Sequence, residues 1–214
     1  MTHPMRAWTK LCRGLVLMLG CCLGLPAGAA PVATVSRIAG TAELLAVPPL
    51  ALGEGSGIGM GDTILTQGGA RVELRFIDGM VLTLGENARM VIDTLVYDPA
   101  AAEAQASLRV SQGAFRVITG GIAKLPDHPF RLITPYASVG VRGTDFWGGA
   151  LDDDPFAMVA LDGAVVITTP KGTTLLTKGQ GIEIKALGDG TSTPHPWGRD
   201  KTDRAVGTVT FPDR

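Results

Sequence analysis

Cysteine is confined to the first 22 of the 214 residues, at Cys12, Cys21 and Cys22. The chain beyond them can hold no disulfide and no thiolate metal site. Histidine is as scarce: past the first segment only His128 and His195 occur, each directly before a proline. Zinc sites take three or four ligands at recognisable spacing, and no such cluster is present. Basic excess is missing too, since 19 Lys and Arg stand against 20 Asp and Glu. Nucleic acid, which needs a basic footprint, is excluded as a partner. Aromatic residues make up only 5% of the chain, so each one that stands outside an apolar run is informative.

What is present at the start is a leader pattern. Arg6, Lys10 and Arg13 precede the apolar run Leu15–Leu25, Pro26 breaks it, and Ala27-Gly28-Ala29 supplies small residues. This is the layout of a secretory signal peptide cleaved between Ala29 and Ala30, because the run is too short to span a bilayer. Two alternatives are a short membrane anchor and a lipoprotein. In the latter, Met18-Leu19-Gly20-Cys21 forms a loose lipobox, with Met where Leu is usual, and Cys21 carries the lipid. Cleavage leaves 16 basic and 20 acidic residues, a formal charge of −4. No second apolar stretch approaches 18 residues, so the processed chain is expected to have no transmembrane span and to be periplasmic or secreted. The rest suffices for one ordinary domain, 30–186, followed by a tail, 187–214.

That domain reads as all-β. Runs of four to eight residues with apolar alternation recur from Val32–Ile38 through Gly181–Lys185. Asp78-Gly79 and Asp162-Gly163 each sit between two such runs and read as hairpins, as does Lys171-Gly172. Regular spacing of short strands predicts a sandwich or barrel. Pro99–Ala106 has helical composition but no apolar stripe, and we read it as a loop. Gly53–Gly61 has Gly at alternate positions but neither GxGxxG nor a Lys-Ser/Thr ending, which makes it a flexible connection and not a phosphate loop. The tail is rich in Gly, Pro, Thr and charge and reads as irregular and poorly ordered.

Candidate site residues are few. In Thr134–Trp147 (TPYASVGVRGTDFW) a Thr-Pro start leads to an apolar run, then to an apparent tight turn at Arg142-Gly143-Thr144-Asp145. Arg142 and Asp145 could fix that turn by local bonds or touch a partner. Tyr136, Trp147 and Trp197 are candidate exposed aromatics for stacking on a sugar or anchoring a partner, with core packing the plain alternative for Trp147. Asp152-Asp153-Asp154 could offer oxygens to calcium but lacks a calcium-loop spacing, so a solvated loop is the expectation. No nucleophile-elbow motif accompanies the histidines.

The Thr134–Trp147 stretch resembles the signature of FecR domains, modules of the bacterial envelope. Further pieces follow in family order: Gly61-Asp62-Thr63-Ile64-Leu65-Thr66, the hairpin Arg71–Asp93, Gly113-Ala114-Phe115, Asp162-Gly163-Ala164-Val165 and Gly179-Gln180-Gly181. Met80 departs from the Ser usual after the hairpin glycine. The resemblance spans roughly Gly40–Ile184. It implies a β-sandwich of jelly-roll type and no chemistry. In well-known members the domain follows a membrane helix and a cytoplasmic segment that controls a sigma factor. Here a cleavable leader stands in their place, so only the exported module carries over. The expectation is therefore a non-catalytic module without cofactor, binding an envelope protein or glycan in sensing or signalling. The alternatives are a structural surface (lipo)protein and, further off, a carbohydrate-active hydrolase.

Overall fold

The computed structural model describes residues 30–101, 103–125 and 130–212; the side chain of Arg142 is not described. The leader with Cys21 and Ala29, and also His128, lie outside the described residues. Ala30 is the first described residue and is exposed.

Sixteen strands follow in chain order: β1 (Ala33–Ala39), β2 (Ala42–Leu44), β3 (Leu50–Ala51), β4 (Gly57–Ile58), β5 (Thr63–Thr66), β6 (Arg71–Phe76), β7 (Val81–Leu84) and β8 (Arg89–Asp98). Then come β9 (Glu103–Gln112), β10 (Phe115–Ile118), β11 (Phe130–Ile133), β12 (Ser138–Leu151), β13 (Asp154–Thr169), β14 (Gly172–Thr177), β15 (Gln180–Ile184) and β16 (His195–Pro196). A 3-10 turn spans Ile122–Lys124, and one helix, α1, spans Arg199–Gly207. The all-β expectation holds.

All strands belong to one hydrogen-bonded network, and two of them divide it into two layers. The first half of β12 pairs with β11, its second half with β10. The second half of β13 pairs with β14, its first half with β15. One layer therefore runs β3-β2-β5-β8-β9-β11-β12-β13-β14, and the other β4-β1-β6-β7-β10-β12-β13-β15-β16. Every pairing is antiparallel except β9 with β11. The alternating residues of both layers meet in one core: Ile64, Met90, Leu108 and Val139 from the first, Val35, Leu74, Leu82 and Phe146 from the second. Burying each such side chain is worth about 1.5–3 kcal/mol, and with no thiol available this core supplies the stability that disulfides would otherwise add.

Asp78-Gly79 forms the predicted hairpin between β6 and β7. Asp162-Gly163 does not form one. It lies inside β13, opposite a register shift in β12 between Arg142 and Asp145. Asp-Gly favours positive φ wherever the chain needs it, and here it serves a bulge instead of a turn. The hairpin joining β12 to β13 falls at the acidic run, with Leu151 paired to Asp154 and Asp152 at φ 52°. Pro99–Ala106 is divided: the peptide N–H groups of Ala100 and Ala101 bond the Asp98 carboxylate in a turn, and β9 begins at Glu103.

The tail departs most from expectation. It carries β16 and α1 and packs on the outer face of the second layer. The helix has few apolar residues, so its order comes from what it rests on, not from its own propensity.

Candidate functional site

The signature stretch is a structural corner. Thr134 Oγ1 accepts the N–H groups of Tyr136 (3.2 Å) and Ala137 (3.0 Å), closing the loop that launches β12. Tyr136 then stacks on Phe156 of β13, with ring centroids 5.2 Å apart and planes within 15°. Together with Val110, Phe115 and Gly149 these rings line an open cleft of about 220 Å³.

At Gly143 (φ 59°) β12 bulges and passes from one layer to the other. Gly163 lies against this point in β13. A side chain there would bring its Cβ to 2.2 Å from the Gly143 carbonyl oxygen, at a φ of 72°. Thr144 holds the bend from both sides. Its N–H donates to Thr119 Oγ1 (2.7 Å) and its hydroxyl donates to the Ala164 carbonyl (3.0 Å).

Asp145 takes a bidentate pair from Arg116 of β10, Nε at 2.9 Å and Nη2 at 2.6 Å. The hydrogen bond to Asp145 raises the Arg116 guanidinium above its ordinary value, against the opposing effect of partial burial. The expected tight turn at Arg142-Gly143-Thr144-Asp145 is thus a bulge inside a continuous strand. Asp145 is spent on β10, and Thr144 is buried. Among the described side chains, Thr144 and Asp145 are engaged in bonds within the fold.

Trp147 and Trp197 are not exposed anchors; both are buried. Phe146 points into the main core, so its neighbour Trp147 points to the outer face of the second layer, where the tail covers it. Its Nε1 donates to Thr208 Oγ1 (3.0 Å), and Trp197 lies 6.3 Å away, centroid to centroid. Gly181 makes room for Trp197, since a Cβ there would fall 2.2 Å from its Nε1. Lys201 of α1 sits 4.3 Å above the Trp197 ring and bonds Glu183 Oε1 at 2.6 Å. Farther along, Phe211 lies 4.2 Å beneath the Arg37 guanidinium of β1. The sequence did hold a signal for this cover. Phe156–Leu161 is an unbroken apolar run, the pattern of a strand buried on both faces.

The acidic groups are committed as well. Asp152 is held by Arg204 Nη2 (2.9 Å), which keeps its carboxyl below the ordinary value, and Asp154 pairs with Lys185. Burial pushes the Glu183 carboxyl up, but hydrogen bonds from Lys201 and Ser192 outweigh it and hold the group below its ordinary value. His195 Nε2 lies 3.5 Å from Glu183, and Ser192 Oγ donates to the same carboxylate at 2.9 Å. A hydrolytic triad needs the imidazole between hydroxyl and carboxylate; here the carboxylate stands in the middle, so the histidine has no path to the serine proton.

One strand is left open. β14 pairs only with β13, and among the described residues its other edge has no ladder partner, though side chains touch it: Thr174 Oγ1 lies 2.6 Å from Thr191 Oγ1, Lys171 pairs with Asp189 (2.7 Å), and the Thr177 N–H donates to Gln180 Oε1 (3.0 Å). The remaining ends of the two layers, β3, β4 and β16, are two residues each. Edge strands are normally blunted by charge or proline, yet Gly172–Thr177 (GTTLLT) carries neither, with Leu175 exposed and Lys171 and Lys178 only at the flanks. Composition alone did not single this strand out, because an edge is a property of topology.

Fold and corner define a two-layer β module in which Thr144 and Asp145 are held by bonds to β10, β13 and Thr119. Residues 62–166 match the family model described as FecR protein. The matched stretch runs from the start of β5 into β13. Two crystal structures of a "putative anti-sigma factor" from Parabacteroides distasonis share its fold. Their TM-scores are 0.52 and 0.51 at 17% identity, covering 65% of this chain and 62% of the solved chain. The similarity therefore spans less than two thirds of that protein. No curated protein matches the chain.

Proposed function

We propose that this chain is a non-catalytic regulatory binding module of the cell envelope, which takes an extended segment of a protein partner along β14. The edge without a ladder partner, on a strand without internal charge, is the observation that carries the reading. Strand addition gives affinity through main-chain bonds, and the side chains beside the edge give specificity. The FecR match and the anti-sigma description of the solved relative favour a place in a signalling circuit. The commitment of Asp145, Thr144, Asp152 and Glu183 to internal partners favours binding over chemistry. Burial of Trp147 and Trp197 withdraws two of the three candidate stacking aromatics and leaves only the half-buried Tyr136, so a protein is the partner we take.

Crosslinked capture from an envelope fraction, with mass spectrometry as readout, tests this. Wild type should recover one discrete protein, and Leu175→Lys, which blunts the edge without touching the core, should lose it. Equal recovery by both would reject the edge. Absence of any enriched protein would reject the partner reading and leave a structural surface role.

A further inference from the structure

The two ends of the sandwich differ in what they expose. At one end the chain crosses between layers in the short connections 40–41, 67–70, 85–88 and 113–114. At the other, large aliphatic side chains stand in solvent: Leu45, Val47, Leu50, Met60 and Ile77. Register places them together. The Leu45 N–H bonds the Thr63 carbonyl (2.8 Å), the Gly61 N–H bonds the Ile92 carbonyl (2.8 Å), and the Ile77 N–H bonds the Val32 carbonyl (3.0 Å). The most prominent part is the hairpin between β2 and β3, where every residue from Leu45 to Ala51 is exposed and Val47 is fully so. Leu44–Gly53 (LLAVPPLALG) contains no charge and no side-chain hydrogen-bonding group. Surfaces that remain in water seldom keep so continuous an aliphatic run.

The described chain also begins at this end. Ala30 precedes Val32, whose N–H bonds the Ile58 carbonyl (2.9 Å) beside the same cluster. The sequence before Ala30 holds the apolar run Leu15–Leu25, which ends five residues upstream. At most about 3.3–3.6 Å per residue, that connection keeps the run within roughly 20 Å of this end. In the membrane-anchor and lipoprotein alternatives, the bilayer that holds the leader is met by the aliphatic hairpin.

We infer that this end is a membrane-apposed surface, and that the Leu45–Leu50 tip dips into the boundary of a lipid bilayer. The chemistry favours lipid over a protein groove. Protein hot spots are rich in Trp, Tyr and Arg, and the tip has none of them. Hydrocarbon asks only for apolar area. The tip carries no Lys or Arg, so the contact is apolar and not an attraction to anionic headgroups.

The test uses the full chain with Val47→Trp, mixed with phosphatidylcholine vesicles whose acyl chains are brominated. Val166→Trp, on the outer face of the first layer, is the control. The emission added at position 47 should fall by roughly half, since a tip buried at the acyl boundary lies within reach of the bromines, while that at 166 stays unchanged. Val47→Asp with Leu50→Asp should lower the vesicle-bound fraction several-fold while the far-UV spectrum is retained. No quenching at 47, or equal quenching at both positions, overturns the inference. A blue shift at 47 that grows with protein concentration and needs no vesicle assigns the tip to a second copy, and overturns it too.

Discussion

The outer faces of the two layers are built on the same strands and treated in opposite ways. On the second layer, Trp147, Ala157 and Val159 turn apolar groups outward, and the tail buries them under Trp197, Ala205 and Val209. On the first layer, the same strands β12 and β13 turn out Ser138, Gly140, Val166 and Thr168, and no described segment lies across them. The bulge at Gly143 and Gly163 is the switch between these regimes. The lesson is that one face is closed by the chain itself, and the open edge of β14 belongs to the other.

Removing the centre of the covered face should have the largest effect. Trp147→Ala deletes a fully buried ring and should cost about 3–5 kcal/mol, read by chemical denaturation, with the amides of α1 losing hydrogen-exchange protection. Breaking the switch comes next. Gly163→Ala places a Cβ against the Gly143 carbonyl at positive φ and should cost about 3 kcal/mol on the same assay. Gly181→Ala displaces the Trp197 indole and should cost about 1–3 kcal/mol, with a red shift of tryptophan emission as the ring is pushed outward.

Acid should act on the tail selectively. The folded Glu183 carboxyl lies below its ordinary value, so its stabilising pair with Lys201 is complete above the ordinary glutamate range and is lost as pH falls through the lowered folded value. Exchange of α1 amides should therefore rise on acidification before that of the core strands, and Glu183→Gln should reduce the pH dependence to what the Asp152–Arg204 pair contributes. The smallest effect belongs to the bare face: Arg131→Ala, exposed on β11, should change stability by no more than about 0.5 kcal/mol.

Much of this fold was legible as pattern. Alternation located the strands, and Asp78-Gly79 located its hairpin, because both are local signals. Asp162-Gly163 misled because the same dipeptide supplies positive φ to a turn or to a bulge, and only the partner strand decides between them. The tail misled for a related reason. Its helix has a single buried residue, Ala205, and owes its order to Trp147 and Glu183, which lie far away in sequence. The signature residues stood out together in the sequence, but the partner of Asp145 did not: Arg116 is 29 positions away. The free edge of β14 could not be read at all, since it depends on which strands fail to pair.

The central claim is that recognition happens at β14 and not on the covered face. Site-specific photocrosslinking in the cell envelope tests it most directly, with the reactive group at Leu175 on β14 or at Asp203 on the exposed side of α1. One discrete adduct from position 175 and none from 203 is the result expected. An adduct from 203 alone, or none from 175, would contradict the account.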